Sequence, residues 1–314
     1  MTIPAAPSSD RPAHIALTGS VARRRRERLV KLLFLSAALV SVVISALIVL
    51  SLIGGAIDFV SKIVPAQLLE DGWYPRRDEF GLLTLLAGSL LVTGIALLLA
   101  VPIGLMSAVF LAEYAGPRTR RIVKPVLEIL AGIPSVVLGF FALTWISPQV
   151  VHLVNPNASD FNLMAAGLGV GVLTIPLVAS ISEDAMRAVP TSLREASYGL
   201  GARRITTSVR VVIPAALSGI VAAVILGISR AIGETMVVAV AAGGSGGSQF
   251  TLDPFEQGQT ITAAMASLAA GTDQVAGSNV AYQSLFFLGL LLFVMTFTLN
   301  QLGDVFVRRT RQQY

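Results

Sequence analysis

Six long apolar stretches leave this chain little choice of fold. They run from Leu32 to Ile57, Leu82 to Ala112, Pro125 to Ile146, Leu163 to Ile181, Ala215 to Ala242 and Leu285 to Val307. A bilayer's hydrocarbon core, about 30 Å thick, takes about 20 apolar residues of helix to cross. No water reaches the backbone there, so each run must close its own hydrogen bonds as a helix. Composition agrees: 54% of the 314 residues are hydrophobic, 13% are charged, and the mean hydropathy is +0.76, outside the balance of a soluble domain. The expected fold class is an all-α membrane protein of six transmembrane helices. The second run is longer than needed and contains Pro102, which predicts a tilted or kinked helix with one end projecting. The first follows a basic stretch, exceeds the apolar segment of a cleavable signal and lacks a small-residue cleavage site, so it reads as an anchor.

Basic residues orient the bundle. With the N-terminus inside, the inner segments hold nineteen of the twenty-three Lys and Arg, including Arg23 to Arg26, Arg118, Arg120, Arg121, Lys124, Arg194, Arg203, Arg204, Arg308 and Arg309. The outer loops hold Lys62, Arg76 and Arg77 against nine carboxylates. The positive-inside rule then places both termini of the expected multi-pass membrane protein in the cytoplasm. Residues 1–30 are rich in Pro, Ser and Arg without apolar periodicity and read as a disordered basic tail, with residues 31–314 as the six-span domain. The run RRRR reads as a topology signal beside anionic lipid, with no nucleic-acid partner implied. Residues 243–282 open with GGSGGS and form the long outer loop; within 259–271, ITAAMASLAAG is too short to span and fits an interfacial or re-entrant helix.

Enzymatic chemistry finds no foothold. There are no cysteines, and His14 and His152 fall in different loops, so no metal site is legible. A P-loop needs a lysine after a glycine-rich turn, but Lys31, Lys62 and Lys124 follow Val, Ser and Val. No HExxH or GxSxG occurs. Transport, signalling or assembly remain.

The inner loop from Glu183 to Pro214, EDAMRAVPTSLREASYGLGARRITTSVRVVIP, is long for a simple reversal. Ser192 and Glu195 have the spacing of a capping box, which predicts a helix starting near Ser192, and Gly199 and Gly201 can end it in a left-handed turn. A second amphipathic piece, Ala202 to Val212, leads to Pro214. By these features alone the loop could be a helical hairpin lying on lipid or a docking knob.

Glu195, Ala196, Gly201 and Pro214, in EASYGLGA…VVIP, resemble the EAA loop of bacterial ABC importer permeases, E-A-A-x3-G-x9-I-x-L-P, with Ser197, Val211 and Ile213 as departures. ILAGIPSVVLGF (129–140) and SRAIGETMVV (229–238) are similar to the phosphate-specific (PstC-type) permease family, over roughly Leu82 to Arg309. The resemblance implies a type I importer permease fold with a cytoplasmic coupling helix. It also implies a heterodimer with a second, PstA-like permease, two PstB-like ATPase subunits that use ATP, and a PstS-like phosphate-binding protein outside. No cofactor would bind this chain itself.

Arg230 and Glu234 lie four residues apart in the fifth run, deep in the bilayer, where a charge costs on the order of 2.5–3.5 kcal/mol. On one helix they could pair. They are then either an ion pair that holds helices together or, as the resemblance implies, a transient phosphate contact with its competing carboxylate. Guanidinium suits phosphate oxygens and stays charged. Ser135 and Thr235 could add neutral hydrogen bonds. Alternatives are a permease for sulfate, molybdate or phosphonate, a stand-alone anion carrier, which leaves the EAA loop unexplained, and a non-transporting scaffold.

Overall fold

The computed structural model describes residues 21–244, 247–271 and 279–310; the expectation for residues 1–20 lies outside them. Two units are compact in themselves, one ending at Leu50 and the other running from Ser51 to Tyr314. The helix α1 (Val21–Lys62) begins earlier than expected, so residues 21–30 are helical rather than part of an irregular tail. Its stretch Arg26–Lys62 is long and apolar enough to cross a membrane.

From Ser51 onward, the end of α1 leads into a two-stranded antiparallel hairpin, β1 (Trp73–Tyr74) and β2 (Glu79–Phe80). Phe59, Trp73, Phe80 and Leu85 form a buried apolar cluster there with Ile261 and Leu288. Next, α2 (Leu82–Val109) continues past Pro102 and ends in a π-helical turn, Phe110–Tyr114. It packs most extensively against α6 (Leu163–Arg187). Small residues allow this: a Cβ at Gly167 would lie 2.7 Å from Ile95, and one at Gly171 3.0 Å from the Ala96 carbonyl. In a membrane, where apolar faces gain little by meeting each other, such close approach is what holds helices together.

The third span differs from expectation. Residues 125–146 are not one helix: α3 (Pro117–Ala131) stops, and the apolar span runs through α4 (Ser135–Phe141), a π-helical stretch (Ala142–Val151) and α5 (His152–Val154). The cause is local. Pro134 disfavours helical backbone at Ile133, and α3 carries Arg118, Arg120, Arg121 and Lys124, which suit it to the edge of the bilayer rather than its centre.

The fifth span also differs. After α7 (Thr191–Gly199), the chain passes through α8 (Arg204–Thr207), a π-helical turn (Ser208–Val212) and α9 (Ile213–Ala215). It bends by 71° into α10 (Leu217–Ile232), which is followed after a break by α11 (Met236–Ala241). Then α12 (Ile261–Ala269) precedes the last span, α13 (Asn279–Thr310). Among the described residues, five helices are long and apolar enough to cross a membrane, and the bent pair, taken as one span, makes a sixth.

Candidate functional site

Two helix breaks define the centre. One is Gly132–Pro134, between α3 and α4; the other is Gly233–Thr235, between α10 and α11. The half-helices that follow are pressed together, because a Cβ at Gly139 of α4 would stand 3.0 Å from the Met236 carbonyl and 3.0 Å from the Val237 Cα. Ser135 is the first residue of α4 and Thr235 immediately precedes α11, so the structure puts these two predicted residues at the starts of adjacent half-helices. Both side chains are half-buried, and the Thr235 hydroxyl donates to the Gly233 carbonyl at 3.2 Å.

Arg230 and Glu234 do not pair as the sequence suggested. The i, i+4 argument requires one continuous helix, and α10 ends at Ile232, with Gly233 as its cap. Among the described residues, no ion pair joins Arg230 to any carboxylate. Arg230 is exposed on this chain and Glu234 is half-buried. Counting 1.5 Å per residue from Leu217, Arg230 lies about 20 Å along α10. An unpaired guanidinium at that depth has to face protein or an aqueous path, since lipid would make it costly.

Sequence reasoning missed what completes this region. The short helix α12 folds back against the break: the Thr262 hydroxyl donates to the Glu234 carbonyl at 2.7 Å, and the Ile261 amide donates to the Ser89 hydroxyl of α2 at 3.1 Å. Ser89 is seven residues into α2, about 10 Å from its start, so α12 packs alongside the first turns of α2. A cavity of about 310 Å³ lies beside the break, lined by Gly233, Thr235, Thr262, Met265, Leu285 and others. A second, of about 270 Å³, separates α11 from α12 and is lined in part by Met236, Gln259 and Ser267. The spacing of ITAAMASLAAG suggested a short helix, but nothing in it pointed to Glu234.

At the bundle's basic end, α7 carries the EAA residues. Glu195 and Ala196 are exposed, Gly201 has φ +77°, and Pro214 is exposed within α9, just before the 71° bend. The predicted capping box does not form: the helix starts directly after Pro190, so Ser192 is already inside it and no side chain caps it. The left-handed turn does form, at Gly201, and it leaves Leu200 90% exposed. A hydrogen bond of 2.8 Å between the Ser197 and Thr207 hydroxyls ties α7 to α8.

Charged side chains anchor this knob to the spans. The guanidinium of Arg194 reaches Glu113 Oε1 at 3.2 and 3.0 Å, and donates to the Val189 and Met186 carbonyls at 2.7 and 2.8 Å. Nearby, Arg120 donates to the Leu111 and Ala112 carbonyls and pairs with Glu183 at 3.3 Å. Lys124 pairs with Glu183 at 2.8 Å and Asp184 at 2.7 Å. Burial alone would lower the Lys124 pKa, but its hydrogen bonds to Asp184 and Glu183 outweigh that and raise it above the ordinary lysine value. The guanidinium of Arg204 stacks 5.1 Å from the Tyr114 ring centroid.

A fifth span broken at Gly233–Thr235, a short helix folded back against that break and an anchored knob at the basic end are the parts of a membrane transport component. Over residues 100–312 the chain matches the family described as the binding-protein-dependent transport system inner membrane component, and it belongs to that family. It is 34% identical to the probable ABC transporter permease protein YqgH of Bacillus subtilis, with 76% of each chain covered. It is 33% identical to the phosphate transport system permease protein PstC of Mesorhizobium japonicum, covering 87% of this chain and 88% of that one. Among solved structures it resembles a chain of a bacterial alginate ABC transporter, with a TM-score of 0.66 at 14% identity over 92% of this chain and 97% of that one. It also resembles one of the MetNI methionine ABC transporter, with a TM-score of 0.51 at 20% identity over 73% and 94%. These likenesses establish the fold: an ABC importer permease embedded in the membrane by several spans.

Proposed function

We propose that the chain is the PstC-type permease subunit of an importer that moves inorganic phosphate into the cytoplasm, with both termini on the cytoplasmic side. The observation that carries this reading is Arg230, a guanidinium with no ion pair among the described residues, about 20 Å along α10 and three residues before the Gly233 break. Broken helices at mid-membrane are where transporters place their substrate sites. A planar fork of five donors fits phosphate oxygens. Glu234, within the break, supplies the competing negative charge that lets the anion leave, and release matters as much as binding along a path. The PstC relatives support phosphate over other oxyanions.

In this reading a second permease covers the exposed face that bears Arg230, and two ATPase subunits bind and hydrolyse ATP beneath α7. A phosphate-binding protein docks on the acidic outer face. Nine carboxylates there would repel a free dianion, so delivery into a shielded chamber fits better than open diffusion. The test is uptake by the reconstituted complex with ATP and loaded binding protein: labelled phosphate accumulates, and labelled sulfate or molybdate does not. Accumulation of sulfate at the phosphate rate would remove the assignment.

Orientation has its own test. The chain has no cysteine, so Arg121→Cys and Arg203→Cys report cleanly, and both positions are exposed. In right-side-out vesicles neither reacts with impermeant maleimide until the membrane is opened, whereas Asn157→Cys reacts at once. Labelling of Arg203→Cys from outside would invert the topology.

A further inference from the structure

We infer that Arg194 is the positioning residue through which movement of α7 reaches the spans, and that the buried carboxylate of Glu113 is the part it pulls on. The inference rests on the permease reading and adds to it a route of transmission. The EAA residues at the tip, Glu195, Ala196 and Gly201, are exposed, and among the described residues Glu195 makes no ion pair with the spans. Arg194 points the other way. Its side chain is 16% exposed and that of Glu113 4%, and the contact joins residues 81 apart in sequence.

The geometry suits a mechanical tie. One planar group holds three acceptors at once: Glu113 in the π-helical turn that ends α2, Met186 in the last turn of α6, and Val189 just past it. The carbonyls at a helix C-terminus carry partial negative charge, so a guanidinium seated on them also stabilises the end of α6, even though the Met186 carbonyl already accepts from the Val189 amide at 3.3 Å. A π-helical turn is a local irregularity that can re-register, and such turns occur frequently at functional sites. This one is gripped from three sides: by Arg194 of α7, by Arg120 of α3 through the Leu111 and Ala112 carbonyls, and by Arg204 over Tyr114. Any displacement of α7 is therefore felt first at Phe110–Tyr114, and α2 and α6, the most extensively packed pair, carry it into the membrane. Discrete packed elements with two arrangements carry coupling in this way.

Lysine at position 194 keeps the charge but cannot span three acceptors, because its ammonium is a point rather than a fork. Glutamine at 113 keeps the shape and removes the negative charge. The experiment uses the whole complex in nanodiscs and follows backbone hydrogen exchange of residues 109–115 with and without ATP trapped by vanadate. This readout needs no transported substrate, so it stands whether or not phosphate is the cargo. In the wild type, ATP changes exchange at α7 and at the π-helical turn together. In Arg194→Gln and in Glu113→Gln the change stays at α7, and ATPase stimulation by loaded binding protein falls about tenfold, within the usual range of coupling between sites. Arg194→Lys falls between. A merely structural role would instead lower the amount of assembled complex and leave exchange and stimulation per complex unchanged. If the π-helical turn of assembled Arg194→Gln or Glu113→Gln responds to ATP as the wild type does, the tie is overturned. Failure of phosphate uptake by the wild-type complex would sink the phosphate reading alone.

Discussion

Replacing Arg230 with glutamine abolishes phosphate uptake while the complex still assembles, and replacing Glu234 at the same time does not restore it. Two readings of these charges make opposite forecasts for the double variant. Were they a buried pair, removing one would strand the other at a cost of about 3–5 kcal/mol, and removing both would recover stability and function. The helix break at Gly233 and the absence of any carboxylate partner for Arg230 among the described residues argue against a pair. Losing an unpaired guanidinium at mid-membrane should cost the fold nothing. Losing a charge-assisted contact to the passing anion should cost about 2–5 kcal/mol, which corresponds to at least ~30-fold in rate. The deciding measurement is uptake by Arg230→Gln with Glu234→Gln, normalised to assembled complex. Uptake near the wild-type level would move the path away from α10 and return these residues to helix packing.

The same two residues show where sequence reading stops. Apolar runs marked all six crossings because hydropathy averages over about twenty residues, and for the same reason it passed over breaks of three. Gly132–Pro134 and Gly233–Thr235 are each too short to lower such an average, yet they divide the third and fifth runs and displace the third span toward Val154. The basic residues Arg118, Arg120, Arg121 and Lys124 were read only as a signal of orientation, and the last apolar residues of α3 were merged into the span that follows. At α7, local chemistry placed the helix and the Gly201 turn correctly. It missed the start because Pro190 itself begins the helix, which makes the Ser192 cap unnecessary. Arg194 was invisible as a tie for a different reason. Its partner Glu113 closes another span, and only the folded bundle brings them together.

Gly201→Val should uncouple ATP hydrolysis from transport, and the structure isolates the cause. A Cβ at Gly201 would meet nothing within 4 Å, so no clash is involved; the strain lies in φ +77°, which a β-branched residue tolerates poorly. Left-handed backbone costs an L-residue about 1–2 kcal/mol, comparable to what a short exposed turn can resist, so the chain would relax toward negative φ. That relaxation would break the turn in which the Gly201 amide donates to the Tyr198 carbonyl and the Ala202 amide to the Ser197 carbonyl. It would also redirect Leu200, the most exposed apolar side chain of the knob. Gly199 provides the control, since it is helical, has no positive φ and would likewise place a Cβ in open space. Gly199→Ala should therefore keep wild-type coupling, and helix propensity makes it neutral or slightly stabilising. In proteoliposomes, Gly201→Val complexes should assemble and hydrolyse ATP at the basal rate, while stimulation by loaded binding protein and uptake both fall by about tenfold or more. Full stimulation in Gly201→Val would mean that the shape of the turn does not matter to the ATPase, and the coupling surface would then have to lie elsewhere than the tip of α7.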